Sequence, residues 1–364
     1  IKAAKLAKLK VKNIVNEPTA AALYYVFKNG GSMNGCFAVF DLGGGTFDIS
    51  IIKVVNRDVV VLASEGIKKL GGDDFDSALQ KIVQRKYKEK TGEDLDIKEA
   101  YTKTNAEDDK KSLSKRDKVN VRVEKINIEL TREEFEKEIA SMLAQTKMSC
   151  EIAIEAAGLG LADIKDVLLV GGSTRVPAVK DIVKDIFKKD PVTTVNVDEA
   201  VCLGASLFSA IKGDAEDLTP TQKASIQKIS VSDVAVGYFG TLALNSSTGK
   251  MFNSILIAKN QKIPCEVTKT YYTSYDGQTS VDCTITQSSL ETEDPEMVET
   301  ISNEDLSLPS GRRRGQEIDI TYAYDDNGTM HASFIDVQTG KETYIKLSDL
   351  TPNVDEDFDD YKVD

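Results

Sequence analysis

Residues 36–51 read Cys36-Phe-Ala-Val-Phe-Asp-Leu-Gly-Gly-Gly-Thr-Phe-Asp-Ile-Ser-Ile51. An apolar run closes on Asp41, three glycines follow, and Phe47, Ile49 and Ile51 then alternate with polar residues. A third apolar run, Val59 to Val61, comes after a short polar break. Three β-type runs joined by tight turns predict an antiparallel meander with the glycine turn between its first two strands. Glycines let a backbone approach a ligand closely and point its N–H groups at an anion. Thr46 adds a hydroxyl, and Asp41 and Asp48 add carboxylates suited to a hydrated magnesium ion. The stretch therefore describes a site for a metal-bound polyphosphate. A plain glycine-rich hairpin would account for the glycines but not for the two aspartates.

On either side, residues 1–210 alternate strand-like and helix-like segments, the pattern of an α/β domain. Pro18 stands at a first helical position and opens an Ala-rich helix reaching about Phe27. Thr131 to Glu134 is a capping box. Phe135, Ile139, Met142, Leu143 and Cys150 behind it fall on one helical face. Val167 to Val170 reads as a buried strand running into a second glycine turn, Gly171-Gly172-Ser173-Thr174-Arg175, and Pro177 then opens a helix. Glycines feeding a helix N-terminus make a second anion or nucleotide contact, weak alone and stronger beside the first.

The character changes near residue 212. Lys212 to Ser225 is polar, and from Ile229 onward β-type runs take over: Ser254–Ile257, Thr270–Tyr275, Ser280–Thr286, Glu317–Tyr324, Met330–Val337 and Glu342–Leu347. Asp326-Asn327-Gly328 and Thr339-Gly340-Lys341 are hairpin-turn signals. The expected organisation is an α/β domain over 1–213, a linker over 214–234, an all-β domain over 235–350 and an acidic tail over 351–364.

Bulk properties narrow the chemistry. The net charge of -13 is spread along the chain and argues against a nucleic-acid surface, which needs a basic stripe. No apolar run approaches the roughly 20 residues that span a bilayer. The five cysteines are scattered without metal spacing, as expected of reduced thiols in a cytoplasmic compartment. His331 is the only histidine, so catalysis must rest on carboxylates, hydroxyls, lysines and backbone amides.

Five motifs, in this order and spacing, resemble the seventy-kilodalton heat-shock chaperones. They are Asn16-Glu-Pro-Thr-Ala-Ala-Ala22, the Asp41–Asp48 turn, Leu70-Gly-Gly-Asp-Asp-Phe-Asp76, Leu169-Val-Gly-Gly-Ser-Thr-Arg-Val-Pro177 and Asp198-Glu-Ala-Val-x-x-Gly-Ala205. The resemblance is strong over residues 1–213 and weaker beyond. It implies the second lobe of an actin-like ATPase fold followed by a β-sandwich that grips extended peptides. ATP or ADP with Mg2+ would be the cofactor, and unfolded client polypeptides, a J-domain co-chaperone and a nucleotide-exchange factor the partners. It also implies residue roles. Glu17 would orient the attacking water or the metal's hydration shell, and Asp41 would accept a proton beside the metal. Gly43, Gly44, Gly45 and Thr46 would hold the phosphates, and Asp48 would support the metal's waters. Glu107, Lys110 and Ser114 would lie at ribose and adenine. Gly171, Gly172, Ser173 and Arg175 would complete the adenosine wall, with Asp198 at the cleft floor. Tyr275 and Val281 would arch over the peptide, with Leu242, Leu244 and Ile257 as weaker pocket candidates.

Departures from the family pattern matter as well. Lys111 stands where an arginine normally stacks on the base, and an ammonium has no flat face to stack. Without the resemblance, Glu107 to Lys111 would read as an exposed charged helix face, and the β-domain leucines as core. The linker, normally leucine-rich, is Ile229-Ser-Val-Ser-Asp-Val234, which removes apolar docking area worth on the order of 1–3 kcal/mol. The motifs begin at what resembles the last helix of the first lobe, and the family's helical lid is expected to be lacking beyond Leu350. Half a phosphate clamp is expected to give little hydrolysis by itself, because phosphoryl transfer depends on positioning and charge stabilisation. A second reading is therefore a non-catalytic regulatory or co-chaperone relative. An actin-like sugar or acetate kinase would share the turns but not the trailing β-domain.

Overall fold

The structure, a computed structural model, describes residues 2–29, 33–192, 196–213, 218–226, 229–325 and 329–347. The Asp326-Asn327-Gly328 turn and the acidic tail lie outside the described residues. Contacts divide the chain into two compact units, Val15–Val234 and a second made of Ala235 onward together with the first fourteen residues. The first fourteen residues include the short helix α1 (Lys2–Leu6).

The Val15–Val234 unit is built on a twisted sheet of β1 (Gly35–Leu42), β2 (Phe47–Val55), β3 (Asp58–Ile67), β6 (Ile164–Val170) and β7 (Ser230–Val234). Its order is β7-β3-β2-β1-β6. β1, β2 and β3 pair antiparallel, as the period-2 pattern and tight turns require, whereas β6 runs parallel to β1 and β7 parallel to β3. Alternate side chains of β1 enter two separate cores. Ala38, Phe40 and Leu42 pack with Ile49, Phe75, Phe135 and Val179 on one face, and Phe37 and Val39 pack with Ala21, Tyr25, Val59 and Leu168 on the other. Each fully buried Phe or Leu of this kind contributes roughly 1.5–3 kcal/mol. Serine is not always on the solvent side: Ser50 is buried and shares a 3.1 Å hydrogen bond with Ser64 on β3.

Helices cover both faces. α2 (Glu17–Lys28) and α8 (Ala200–Lys212) lie on one, and α3 (Gly72–Thr91), α6 (Arg132–Ala156) and α7 (Pro177–Phe187) on the other. The Thr131–Glu134 capping box opens α6 as the sequence predicts, with Thr131 Oγ1 accepting from the Glu134 amide. The one-turn α4 (Ile97–Ala100), then α5 (Lys103–Leu113) and a ribbon of β4 (Lys118–Val123) with β5 (Ile126–Thr131), close the α3 side. α9 (Pro220–Ile226) occupies part of the stretch read as linker. The Ile229–Val234 segment, expected to dock weakly, forms β7 along β3.

In the second unit, β8 (Tyr238–Leu244), β9 (Met251–Ile257), β12 (Ser280–Ser288) and β13 (Glu299–Ser307) make one antiparallel sheet in the order β13-β12-β8-β9. After the two-residue β10 (Lys262–Ile263), β11 (Cys265–Tyr272), β14 (Glu317–Tyr324), β15 (Met330–Asp336) and β16 (Lys341–Lys346) make another. The sheets share one core of Phe239, Ile257, Ile285, Ile320, Tyr322 and Phe334, and the Tyr322 hydroxyl donates to the Gly240 carbonyl at 2.7 Å. The Thr339-Gly340-Lys341 signal does mark the β15–β16 hairpin, with Gly340 at φ 68°. The Thr270–Tyr275 run is displaced: its strand begins at Cys265 and ends at Tyr272.

The tightest helix contact falls at Gly204, where a Cβ would lie 1.7 Å from the Ala20 carbonyl oxygen. Gly204→Ala must separate α8 from α2 and is expected to cost at least ~2 kcal/mol, since overpacking of this kind costs about 1–3 kcal/mol or more. Urea unfolding checks it, and a loss below about 0.5 kcal/mol would contradict the packing.

Candidate functional site

Antiparallel register puts Asp41 directly opposite Asp48, one residue behind Leu42 and Phe47, so both carboxylates flank the mouth of the 43–46 turn. The turn closes through the Gly43 amide donating to the Thr46 carbonyl at 3.1 Å. Glu17 enters from the first turn of α2. Asp41 is only 7% exposed. Burial, then Glu17, then Asp48 push its pKa up to about 7. Burial and Glu17 also raise Asp48.

The turn is buttressed from behind by residues 70–73, the Leu70–Asp76 motif to which sequence alone assigns no role. The amides of Leu70, Gly72 and Asp73 donate to the carbonyls of Gly45, Gly43 and Gly44 at 3.2, 3.0 and 2.7 Å. A Cβ at Gly71 would sit 2.4 Å from the Gly44 oxygen, so only glycine fits there. The signal was present in sequence, a Gly-Gly pair before the α3 acidic turn. The second glycine turn packs against the first: Ser173 Oγ donates to the Gly43 carbonyl at 2.8 Å. Gly171 has φ +84°, and a Cβ there would lie 2.3 Å from the Leu42 carbonyl oxygen.

The front of the turn is different. None of Gly43, Gly44 and Gly45 has a positive φ. The nearest atoms to a Cβ at Gly43 and Gly44 are 3.9 Å away, and nothing lies within 4 Å at Gly45. Neither left-handed backbone nor protein packing demands glycine at these three positions.

Other candidates sort into two groups. Lys110 is 8% exposed, and its ammonium is 2.8 Å from Asp76 and donates to the Gly72 carbonyl at 2.8 Å. Burial raises the Asp76 pKa, and Lys110 opposes that rise. Lys110 thus ties α5 to the start of α3. Ser114 Oγ donates to the Lys110 carbonyl at 2.9 Å and finishes α5. Lys111 and Glu107 form a 2.7 Å ion pair on the exposed face. That pair lowers the Glu107 pKa and raises that of Lys111. Arg175 reaches Asp198 at 2.6 Å and Asn196 at 3.2 Å, both on the exposed side. It rims a cavity of about 350 Å3 whose walls include Leu169, Thr174, Val192 and Val197.

In the second unit, Tyr275 is exposed on a loop that the Gly277 amide ties to the Arg312 carbonyl at 2.7 Å and Asp276 ties to the Arg314 amide at 2.8 Å. Val281 is half-buried against the shared core. On β8, Leu242 is half-buried and Leu244 exposed. Ile257 is corrected: it is fully buried in the core and lines no groove.

The Hsp70 protein family pattern matches residues 1–362. The chain is also similar to the mitochondrial heat shock 70 kDa protein of Pisum sativum, at 34% identity over 375 aligned residues covering 98% of this chain and 52% of the pea protein. The chain therefore belongs to the Hsp70 family. It spans about half the length of the curated relative it matches.

The site's carboxylates impose a pH dependence. Folded Asp41 keeps its proton to about pH 7, while an unfolded aspartate releases it near ~3.9. Between those values the folded state binds more protons, so stability falls as pH rises and the full cost is present above 7. Asp41→Asn in metal-free buffer is expected to gain on the order of 2–4 kcal/mol at pH 8 and nothing below about pH 4. Urea unfolding across pH reads this directly; equal stability of both proteins at pH 8 would contradict it.

Proposed function

We propose that the chain is part of an ATP-driven molecular chaperone. The Val15–Val234 unit acts as the second lobe of an actin-like ATPase, and the unit from Ala235 acts as a β-sandwich holding extended apolar peptide. One observation carries the nucleotide half: three successive glycines whose missing side chains leave open space rather than protein. A phosphate chain approaching the backbone amides closely is the physical reason for that space.

The donor set fits a hydrated Mg2+. Asp41, Asp48 and Glu17 offer oxygens only, which suits a hard cation, and among the described residues no three metal-type side chains close on one point as direct ligands. They would reach the ion through its waters. Bound there, the ion would neutralise charge on the transferring phosphoryl group. The protein's own contribution is positioning. Thr46 and the Gly43–Gly45 amides hold phosphate oxygens, and Asp41, with a proton affinity near neutral, accepts the proton of the attacking water that Glu17 orients. Ser173 and Gly171 fix the turn from one side, Lys110 fixes α5, and Arg175, Asp198, Gly172, Glu107, Lys111 and Ser114 bound the adenosine.

Peptide binding is assigned to the second unit on the exposed Tyr275, Leu244 and half-buried Val281 and Leu242; the latter three lie on β8 and β12 beyond the short pairing of Tyr238–Gly240 with Thr286–Ser288. Client polypeptides, a J-domain co-chaperone and an exchange factor are the partners this reading implies. The five cysteines are unpaired, in keeping with a reducing compartment.

Two measurements test the reading. Gly45→Ala is expected to leave stability within about 0.5 kcal/mol of the parent, because its methyl meets no protein atom. The same change should weaken MgADP binding by about ten-fold or more in calorimetric titration, equivalent to ~1.4 kcal/mol. Unaltered MgADP affinity, or no binding by the parent, sinks the nucleotide assignment. For the other half, Val281→Phe is expected to lower affinity for a labelled leucine-rich peptide by about ten-fold, as a blocked pocket should. Equal anisotropy curves for both proteins would refute it.

A further inference from the structure

Parallel strands in α/β sheets usually read as near-continuous apolar runs, because both faces are covered. β7 does not: three of its five residues, Ser230, Ser232 and Asp233, are polar. Only three residue pairs hold it to β3, Asp58 with Ser230, Val59 with Val231 and Val60 with Ser232. Its apolar anchors are Val234, 3% exposed, and the partly buried Val231, preceded by buried Ile229.

Polar contacts secure its two ends instead. At the first residue, exposed Ser230 Oγ donates to Asp58 Oδ1 at 2.6 Å. At the fourth, Asp233 Oδ2 accepts from Asn16 Nδ2 at 3.0 Å and Thr19 Oγ1 at 2.9 Å, and its Oδ1 accepts from the Val234 amide at 2.8 Å. The second clip is inside the unit and grips the start of α2. The first stands at the surface on β3, 172 residues away in sequence.

We propose that the Ser230–Asp58 hydrogen bond is a polar latch that keeps β7 docked on β3 in place of the apolar burial that a leucine-rich segment would supply. A hydroxyl bonded to a carboxylate is among the stronger neutral-to-charged contacts, and because Asp58 is exposed its loss returns the carboxylate to water and costs the bond alone. A carboxylate at position 230 would instead face Asp58 at hydrogen-bond range, where like charges repel. Ser230 is therefore a positioning residue for the segment. Because Asp233 grips the same helical turn that carries Glu17, undocking β7 loosens the support of that turn. This second consequence rests on the nucleotide reading above; the latch itself does not.

The test uses the full chain and deuterium exchange of the peptide spanning 229–235, with the β1–β2 peptides as internal reference. Ser230→Ala is expected to speed exchange about ten-fold, the opening equilibrium for one lost charge-assisted bond. Ser230→Thr keeps the hydroxyl and should match the parent. Ser230→Glu should exchange at least as fast as Ser230→Ala, and adding Asp58→Lys should return it to within about three-fold of the parent through an opposite-charge pair. Parent-like exchange in Ser230→Ala, or failure of the charge swap to restore protection while the reference peptides stay protected, overturns the latch. If Ser230→Glu does not fold, the Ala and Thr pair decides alone. MgADP titration of the parent separates the two claims: no binding there sinks the nucleotide reading and leaves the latch standing. Normal binding with equal affinity in Ser230→Ala removes the link to α2.

Discussion

Three backbone segments of the α/β unit touch one another with no side chain between them, and the candidate site depends on that contact. A Cβ at Gly71 or Gly171 would collide with the carbonyls of Gly44 or Leu42. Backbone amides of residues 70–73 and the Ser173 hydroxyl satisfy the carbonyls of the 43–45 turn from behind. With its carbonyls bonded backward, the turn has a front where, among the described residues, no atom comes closer than 3.9 Å to where a Cβ would stand at Gly43, Gly44 or Gly45, the glycines and their chain neighbours aside. Rigid support behind and open space before it are the conditions under which backbone amides bind an anion without reorganising.

The same contact forces a cost. Asp41 is carried into a desolvated position opposite Asp48, with Glu17 close enough to raise both. Carboxylates this close disfavour ionising together, so the ligand-free site is an electrostatic liability at neutral pH. On the proposed reading a cation would remove the liability, and the tension in the carboxylates would be turned into affinity for it. α2 is the element that brings Glu17 there, and its placement is rigid because Gly204 lets α8 approach the Ala20 carbonyl so closely.

Much of this was legible in the sequence where the signal is local. The β1–β3 meander follows from alternation and turn chemistry, and the α6 start from Thr131 and Glu134, with the first core residue of the helix, Phe135, next to the box. The losses came where a distant partner overrides local character. Lys110 sits in a run of charges that reads as solvated, yet Asp76 and the Gly72 carbonyl, 34 and 38 residues back, bury it. Ser230 reads as a weakened docking residue until Asp58 is placed beside it. β13 went unread because Glu299 to Ser307 is largely exposed and polar and shows no apolar period, and its pairing with β12 rather than its own propensity makes it a strand.

Adjacent lysines make the last point. Lys110 and Lys111 share one helix, but a rotation of about 100° between neighbours sends one inward and the other out. Once Lys110 has fixed α5 to α3, the outward face is fixed too, and with it the Lys111–Glu107 pair. An exposed i,i+4 pair is worth only a few tenths of a kcal/mol, so either partner can leave it for a ligand at little cost. The buried lysine sets where the face points and the exposed one supplies a charge that remains adjustable. A lysine there offers charge without the flat stacking surface of a guanidinium, so on the proposed nucleotide reading any base stacking on this wall would fall to Arg175.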